Sequence, residues 1–254
     1  RTGTGHDARP ARASRQMMTR TFTAMLLLGA TALVAARSVE SPALPTTLEL
    51  RYALRYGDLT VGRVSKTLTR EADGRYRHRS HSIPLGTAKI FTSVEWFEEG
   101  QFEVVHGKLR PLSFLEYRVG ADKPHRHSAR FDWKEKKIFY ANGVTVPLPP
   151  GTQDNGSLLY ALMLSPPVAG GAQTIHVSSG KKLRVYRYAQ AGPEALKTAL
   201  GNIKTTVIEH PPLDRDGEGF RIWLAAERGN LPVRIRTEKR GQETILELES
   251  VSGL

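Results

Sequence analysis

Two histidines could form part of a metal site. His125 and His127 are two residues apart in a predicted strand, so their side chains lie on the same face. Asp122 or Asp132 could add a carboxylate ligand. Two imidazoles are only half of a zinc site, however, and the neighbouring turn signal favours exposed histidines. We therefore predict neither a bound metal nor a cofactor.

The other reactive residue types form no catalytic pattern. The sequence has no cysteine and no G-x-S-x-G motif, and its S-x-x-K match at residues 178–181 falls on a predicted hairpin turn instead of a helix. His78 and His81 are three apart, which places them on opposite faces of a strand. Several glutamates on predicted strands leave a carboxylate hydrolase open, because the separation of carboxylates is a three-dimensional property. These glutamates are Glu95, Glu98, Glu103 and Glu116.

Aromatic side chains are the remaining candidates for a site. Core packing is their usual role, but a concave barrel interior lined by them would form an apolar ligand cavity. Among these residues we take Trp133, Tyr160 and Trp223 as candidate ligand-binding residues. The full set is Trp96, Phe97, Phe131, Trp133, Phe139, Tyr140, Tyr160 and Trp223.

The elements that would position these residues are mainly β-strands. Between residues 48 and 56, apolar residues alternate with charged or small ones, which predicts a half-buried strand. Further short strands follow to the C-terminus, among them residues 90–97 and 183–188. They are separated by turn signals that include Asp73-Gly74, Glu99-Gly100, Arg110-Pro111 and Asn142-Gly143. We predict an all-β, mainly antiparallel fold. It would be a single sheet of about ten strands that curls into an open or nearly closed barrel.

One segment interrupts the strands. Residues 154–157 precede the apolar run 158–164, and Pro166 and Pro167 end it, which predicts a short helix. The run is apolar on nearly all sides, so the helix should be buried. Asp154 stands at the position of an N-cap, and we predict a structural role for it because its side chain can accept the unpaired amides of the first turn.

The N-terminal region carries an export signal. Met18, Thr19 and Arg20 precede an apolar run that ends in small residues, which predicts a signal peptide over residues 17–36 and cleavage between Ala36 and Arg37. The run is shorter than the roughly 20 apolar residues that span a bilayer. Residues 1–16 are interpreted as an upstream extension outside the fold, 37–47 as a linker and 48–254 as a single β domain. We therefore expect a periplasmic protein.

Composition restricts the classes of partner that the protein can be expected to bind. The formal charge is +12, but six of the 37 basic and one of the 25 acidic residues precede Ser38, which leaves an excess of seven. These charges are interspersed along strands, as on a solvated sheet face. With export, this argues against nucleic acid as a partner, although a basic face can contact an anionic membrane surface. Without cysteine there is no disulfide framework and no lipid attachment after the apolar run. We expect a monomer.

Five separated motifs resemble the bacterial exported proteins grouped as domain of unknown function 3108. They are LRPLSF at 109–114, FDW at 131–133, PLP with GTQD at 147–154, IWL at 222–224 and LPVRI at 231–235. The resemblance runs from about Leu48 to the C-terminus. It implies an envelope protein of Gram-negative bacteria with no established activity, so it transfers no site residue.

A second resemblance, at the level of the fold, is to LolA- and LolB-type lipoprotein carriers. Those proteins are half-barrels with a helical lid over an apolar cavity, and residues 223–235 are similar to their C-terminal hairpin. No arginine of this sequence can be singled out as the one that holds their lid.

Three hypotheses of function follow. The first is a non-enzymatic periplasmic protein that binds an apolar or amphipathic envelope component, a lipid or a lipoprotein. The second is an envelope hydrolase acting on glycan or peptide crosslinks, which requires two carboxylates within about 10 Å in one cleft. The third is a structural or assembly partner, which requires a large exposed apolar patch.

Overall fold

A computed structural model describes residues 43–210 and 218–254. The predicted upstream extension, the signal peptide with its cleavage site after Ala36, and the first part of the linker lie outside the described residues. Within the described ranges, no helix combines the length and the apolar character needed to cross a bilayer.

The described residues form fifteen strands and two short helices. The strands are β1 (Thr47–Tyr56), β2 (Leu59–Arg70), β3 (Tyr76–Pro84), β4 (Glu95–Val105), β5 (Lys108–Val119), β6 (Arg126–Asp132), β7 (Lys137–Tyr140), β8 (Thr145–Pro147), β9 (Gln153–Asp154), β10 (Ala172–Ser178), β11 (Leu183–Thr198), β12 (Gly201–His210), β13 (Glu218–Ala225), β14 (Leu231–Lys239) and β15 (Gln242–Ser252). The helices are α1 (Ala88–Phe91) and α2 (Ser157–Leu164), and a 3-10 turn covers Ala226–Arg228.

The strands form one sheet in a meander order. Strand β1 pairs with both β2 and β15, so the sheet runs from β8 down to β1 and then from β15 down to β9. Strands β9 and β10 pair in parallel, and the other described pairings are antiparallel. The predicted fold class is confirmed: a single, mainly antiparallel sheet that is not closed, with one short buried helix in the middle of the chain.

The two ends of the sheet curl toward each other. Gln153 of β9 donates its side-chain amide to the Leu109 carbonyl of β5, at 3.1 Å. Ser178 of β10 donates to the Tyr140 hydroxyl of β7, at 3.3 Å. These hydrogen bonds join side chains to backbone or side chains to side chains, so the last strands contact the first half of the sheet without continuing the ladder.

The core lies on the inner face of the curled sheet, where α2 packs. The alternation predicted in β1 holds, since Leu48, Leu50 and Tyr52 are buried while the residues between them face solvent. Tyr52 donates its hydroxyl to the Pro232 carbonyl at 2.9 Å, which satisfies the one polar atom of a fully buried ring. Helix α2 is buried at most of its positions, which is why the apolar run 158–164 shows no polar face.

Two predicted turns are wrong. Strand β4 continues through Glu99-Gly100 and β5 continues through Arg110-Pro111, so the hairpin turn lies at His106-Gly107, where both residues have positive φ. A glycine is needed at position 100 inside the strand, because a Cβ there would lie 2.7 Å from the Ser113 carbonyl oxygen and would overlap the His78 ring. The proline is tolerated in β5 because the register against β4 shifts beside it. At such an irregularity the strand pairing does not require the backbone N–H that proline lacks.

The number of strands also differs from the prediction. The segment predicted as a strand at residues 90–97 begins with α1, and only its last residues join β4. Strand β11 is much longer than the predicted 183–188, because a register shift after Gln190 lets it pass Gly192 and Pro193 and pair with β12. Fifteen described strands replace the predicted ten because several are very short and pair at the edges of the sheet.

Candidate functional site

A cavity of about 380 Å³ opens between the start of α2 and the inner face of the sheet. Most of its wall is apolar. Leu158 and Leu159 of α2 form one side, Trp96 of β4 another, and Ile235 with Leu246 the opposite wall. The volume falls in the lower part of the roughly 300–1,000 Å³ found for small-molecule sites.

The charged side chains of the cavity belong to a row of side chains that crosses five strands. Each member pairs directly with the next across neighbouring strands of the sheet, so all of them lie on the inner face. We call this set the polar row; it consists of Lys66, Ser80, Glu98, Glu116 and His127. Its first three members line the cavity. Other polar side chains line the cavity outside this row: Ser82, Asn155, Thr237 and Thr244.

The cavity end of the polar row holds a half-buried ion pair. The Lys66 ammonium donates to the Ser80 hydroxyl at 3.2 Å and lies 3.7 Å from the Glu98 carboxylate. The Lys66 and Glu98 side chains are 14% and 18% exposed, so both charges are largely removed from water and depend on each other. Together they offer charged hydrogen-bond donors and acceptors on one wall of a mostly apolar cavity.

The other end of the polar row brings three metal-ligand side chains together. Glu116 of β5 and the pair His125 and His127 place their ligand atoms within 4.8 Å of one another. The His125 Nε2 and Glu116 Oε1 atoms are 2.6 Å apart. Burial lowers the pKa of His127, and the neighbouring His125 lowers it further. The sequence placed the two histidines on one face but proposed Asp122 or Asp132 as the third ligand, and neither belongs to this group.

One aromatic residue connects the two ends. Trp96 lines the cavity and also lies beside His125, with ring centroids 5.2 Å apart. The Arg118 guanidinium stacks over Trp96 at 3.9 Å. The cavity and the group of three ligands are therefore neighbouring parts of one concave surface.

A sequence profile of the proteins of unknown function called DUF3108 matches residues 51–245. The chain belongs to this family. The match covers most of the described sheet, including every member of the polar row and helix α2, so the features described above fall within the family's domain. No curated protein matches the sequence.

A DUF1849 protein shows the same kind of fold. The crystal structure of this β-barrel-like protein of unknown function from Brucella abortus superimposes with a TM-score of 0.53 and covers 83% of this chain and 98% of its own length. Its sequence is 12% identical, so the likeness is one of fold alone. An open, curled sheet is also consistent with the fold-level resemblance between this DUF3108 chain and lipoprotein carriers.

Asp154 lies beside the start of α2 in the DUF3108 domain and is fully buried. Its Oδ1 accepts the backbone N–H groups of Gly156 and Ser157, both at 2.8 Å. Gly156, not Asp154, directly precedes the helix, so Asp154 forms an Asx turn that leads into it. His78 Nε2 lies 3.5 Å from the same oxygen, and the two side chains are 2% and 0% exposed, which leaves neither accessible to a ligand.

The aromatic residues proposed from the sequence lie away from the cavity. Trp133 donates its ring N–H to the Pro111 carbonyl at 2.7 Å, outside the cavity wall. Tyr160 is 2% exposed and packs against Phe102 in the core, and Trp223 is 4% exposed in the same core. The structure does not bring these three together at one site.

Of the residues that line the cavity, the sequence interpretation included Trp96 and Glu98 but did not place them at a common site. Trp96 appeared among the aromatic residues and Glu98 among the strand carboxylates, and their spacing of two already places them on one face of β4. Lys66 and Ser80 gave no comparable signal, because their approach depends on the pairing of β2, β3 and β4.

Proposed function

We propose that this protein is an exported component of the Gram-negative envelope that binds an amphipathic molecule, such as a lipid, in the cavity beside α2. The single observation that supports this most is the composition of the cavity wall, which is mostly apolar and carries its charged side chains, Lys66 and Glu98, on the polar row. A molecule with an apolar body and one polar group fits such a wall. Its body would lie against Leu158, Leu159 and Leu246, and its polar group would reach Lys66 and Glu98.

The chemistry of the cavity wall restricts the class of ligand. Each methylene transferred from water to this surface contributes about 0.8 kcal/mol, so an acyl chain gains affinity with length until the cavity is filled. The ion pair between Lys66 and Glu98 is balanced in charge. A polar group that hydrogen-bonds to both partners keeps the pair intact, whereas a strongly charged group must compete with one of them.

Export is the second part of the proposal, and it rests on the apolar run within residues 17–36. Expression of the full sequence in a Gram-negative host should yield a mature protein in the periplasmic fraction whose intact mass corresponds to residues 37–254. A protein that retains the run, or that stays in the cytoplasm, would refute this part while leaving the cavity unaffected.

Binding can be tested with a dansyl-labelled undecanoic acid as the probe. We expect saturable fluorescence enhancement with the native chain and its loss in Leu246→Trp, which fills the cavity. The matched control is Val185→Trp, a strand residue that is 57% exposed and does not line the cavity. Native mass spectrometry of protein isolated from the periplasm should show a co-purifying lipid for the native chain and the control alone. Equal probe binding by all three proteins would refute the cavity as the site.

A hydrolase is the second candidate, because Glu98 and Glu116 are direct partners on β4 and β5. Side chains in such positions start about 4.5–5.5 Å apart at Cβ, so their carboxyl groups can reach the separation of about 5–5.5 Å found in retaining glycosidases. Each carboxylate already has a partner, however: Lys66 for Glu98 and His125 for Glu116. Release of soluble fragments from purified peptidoglycan, abolished in Glu98→Gln, would support this candidate, and no release by the native chain would exclude it for that substrate.

The assembly hypothesis has the weakest support. Ile90 and Phe91 of α1 are adjacent and are 79% and 86% exposed. Nothing among the described contacts indicates what would cover them, whereas the cavity is already formed.

A further inference from the structure

We propose that Glu116, His125 and His127 form a binding site for a divalent transition-metal ion, with Zn²⁺ as the ion that matches them best. The inference does not depend on the proposed lipid binding. It rests on the three ligand atoms that the fold brings within 4.8 Å of one another.

The positions follow from the pairing of β5 and β6. Glu116 and His127 are direct cross-strand partners, so their side chains extend side by side from the inner face. His125 lies two residues before His127 and immediately before β6, on the same side. The His125 and His127 rings are 4.4 Å apart at their centroids, in an edge-to-face arrangement. Two of the three ligands therefore come from paired strands, which hold them firmly.

The distances suit a small ion. Zinc takes imidazole nitrogen and carboxylate oxygen at about 2.0–2.2 Å in tetrahedral geometry, so two ligand atoms of one ion lie about 3.3–3.5 Å apart. His125 Nε2 and Glu116 Oε1 are closer than that, at 2.6 Å, because they form a hydrogen bond. An ion that replaces this hydrogen bond needs the two atoms to separate by roughly 1 Å or less, and needs the His127 ligand atom to approach by up to about 1.5 Å.

An ion pair of His125 and Glu116 does not account for the whole group. It explains their contact, but it leaves unexplained why His127 presents a third ligand atom to the same point. The Glu116 side chain is 8% exposed, so its charge requires compensation inside the protein, and a divalent ion supplies more of it than a shared proton.

The surroundings of the site affect how an ion would be held. The positive charge of Lys181, in the turn between β10 and β11, acts on His127 and opposes a bound cation. Three protein ligands leave the fourth position of the ion open to water or to a polar group from the neighbouring cavity.

The test is isothermal titration of the purified, chelator-treated chain with ZnCl₂ near neutral pH. We expect one bound ion per chain. Glu116→Gln and His127→Gln should each weaken binding at least about 100-fold, because even the outer hydrogen-bond partners of ligands are worth about 10–100-fold. The matched control is His106→Gln, which removes an exposed histidine in the turn between β4 and β5 and should leave affinity unchanged.

Three outcomes would overturn the proposal. They are the absence of saturable one-to-one binding, equal binding by the native chain and both ligand variants, and an equal loss in His106→Gln. The urea unfolding midpoint of each metal-free variant distinguishes loss of a metal ligand from misfolding. Because His127 is half-buried, the midpoint of His127→Gln should stay near that of the native chain. The cavity variant Leu246→Trp should still bind Zn²⁺, so failure of the lipid proposal and failure of this one are distinguishable.

Discussion

Substitution of Gly156 by alanine should destabilise the protein through a single contact. Gly156 precedes α2 with φ −80° and ψ −41°, a conformation that alanine adopts without strain. A Cβ at this position would overlap the His78 ring, 2.6 Å from Nδ1 and 3.0 Å from Nε2. The ring has little room to move, since His78 is 2% exposed and packs against the rings of Phe102 and Tyr160.

The expected cost follows from this geometry. Overpacking of a filled core typically costs 1–3 kcal/mol, and with the His78 ring buried among other rings we expect about 2–3 kcal/mol of unfolding free energy. In a His78→Ala background the obstacle is gone, and Gly156→Ala should be neutral or stabilising by about 0.4–1 kcal/mol, because it reduces the entropy of the unfolded chain. The assay is urea unfolding of the four proteins of the cycle, followed by far-UV circular dichroism. Additive effects, within about 0.5 kcal/mol, would refute the contact between the two residues.

Three further predictions use the same assay. Asp154→Ala should cost about 1–3 kcal/mol because it leaves two buried N–H groups without an acceptor, whereas Asp154→Asn keeps an acceptor and should cost little. Trp133→Phe removes the bond to Pro111 and should cost about 0.5–1.5 kcal/mol with probe binding unchanged; loss of probe binding instead would restore Trp133 as a ligand contact. Burial alone would raise the pKa of Glu247, but Arg234 and Arg55 hold it below its usual value, so its contribution to stability is present above about pH 4.3 and is lost as pH falls through the lower folded pKa. Glu247→Gln should therefore lose less stability on acidification than the native chain, and equal losses would contradict this role.

Local patterns predicted much of the fold. The alternation in β1 and the continuous apolar run of α2 each indicated the correct element, because half-buried strands and fully buried helices have distinct patterns. The turn signals failed where a residue that usually ends a strand serves another purpose. Gly100 makes room for His78, and Pro111 occupies a register shift, and both causes lie in a neighbouring strand.

The candidate site was harder to predict for a related reason. His125 and His127 share a strand face, so spacing alone placed them together. Glu116 could not be chosen over Asp122 or Asp132 without the register of β5 against β6. Aromatic side chains were also a poor guide to the cavity. Tyr160 and Trp223, which were selected from the sequence as ligand-binding candidates, are buried in the hydrophobic core.

On the inner face, the residues that stabilise the fold and the residues that line the cavity lie at different positions along the strands. One row, which includes His78 and Gly100, lies under the start of α2, and the tight contacts there leave no space for a ligand. The next row is the polar row, two residues along each strand, where α2 supplies only part of the cover and a cavity remains. Changes under the helix should therefore alter unfolding free energy first, while changes in the polar row should alter binding first.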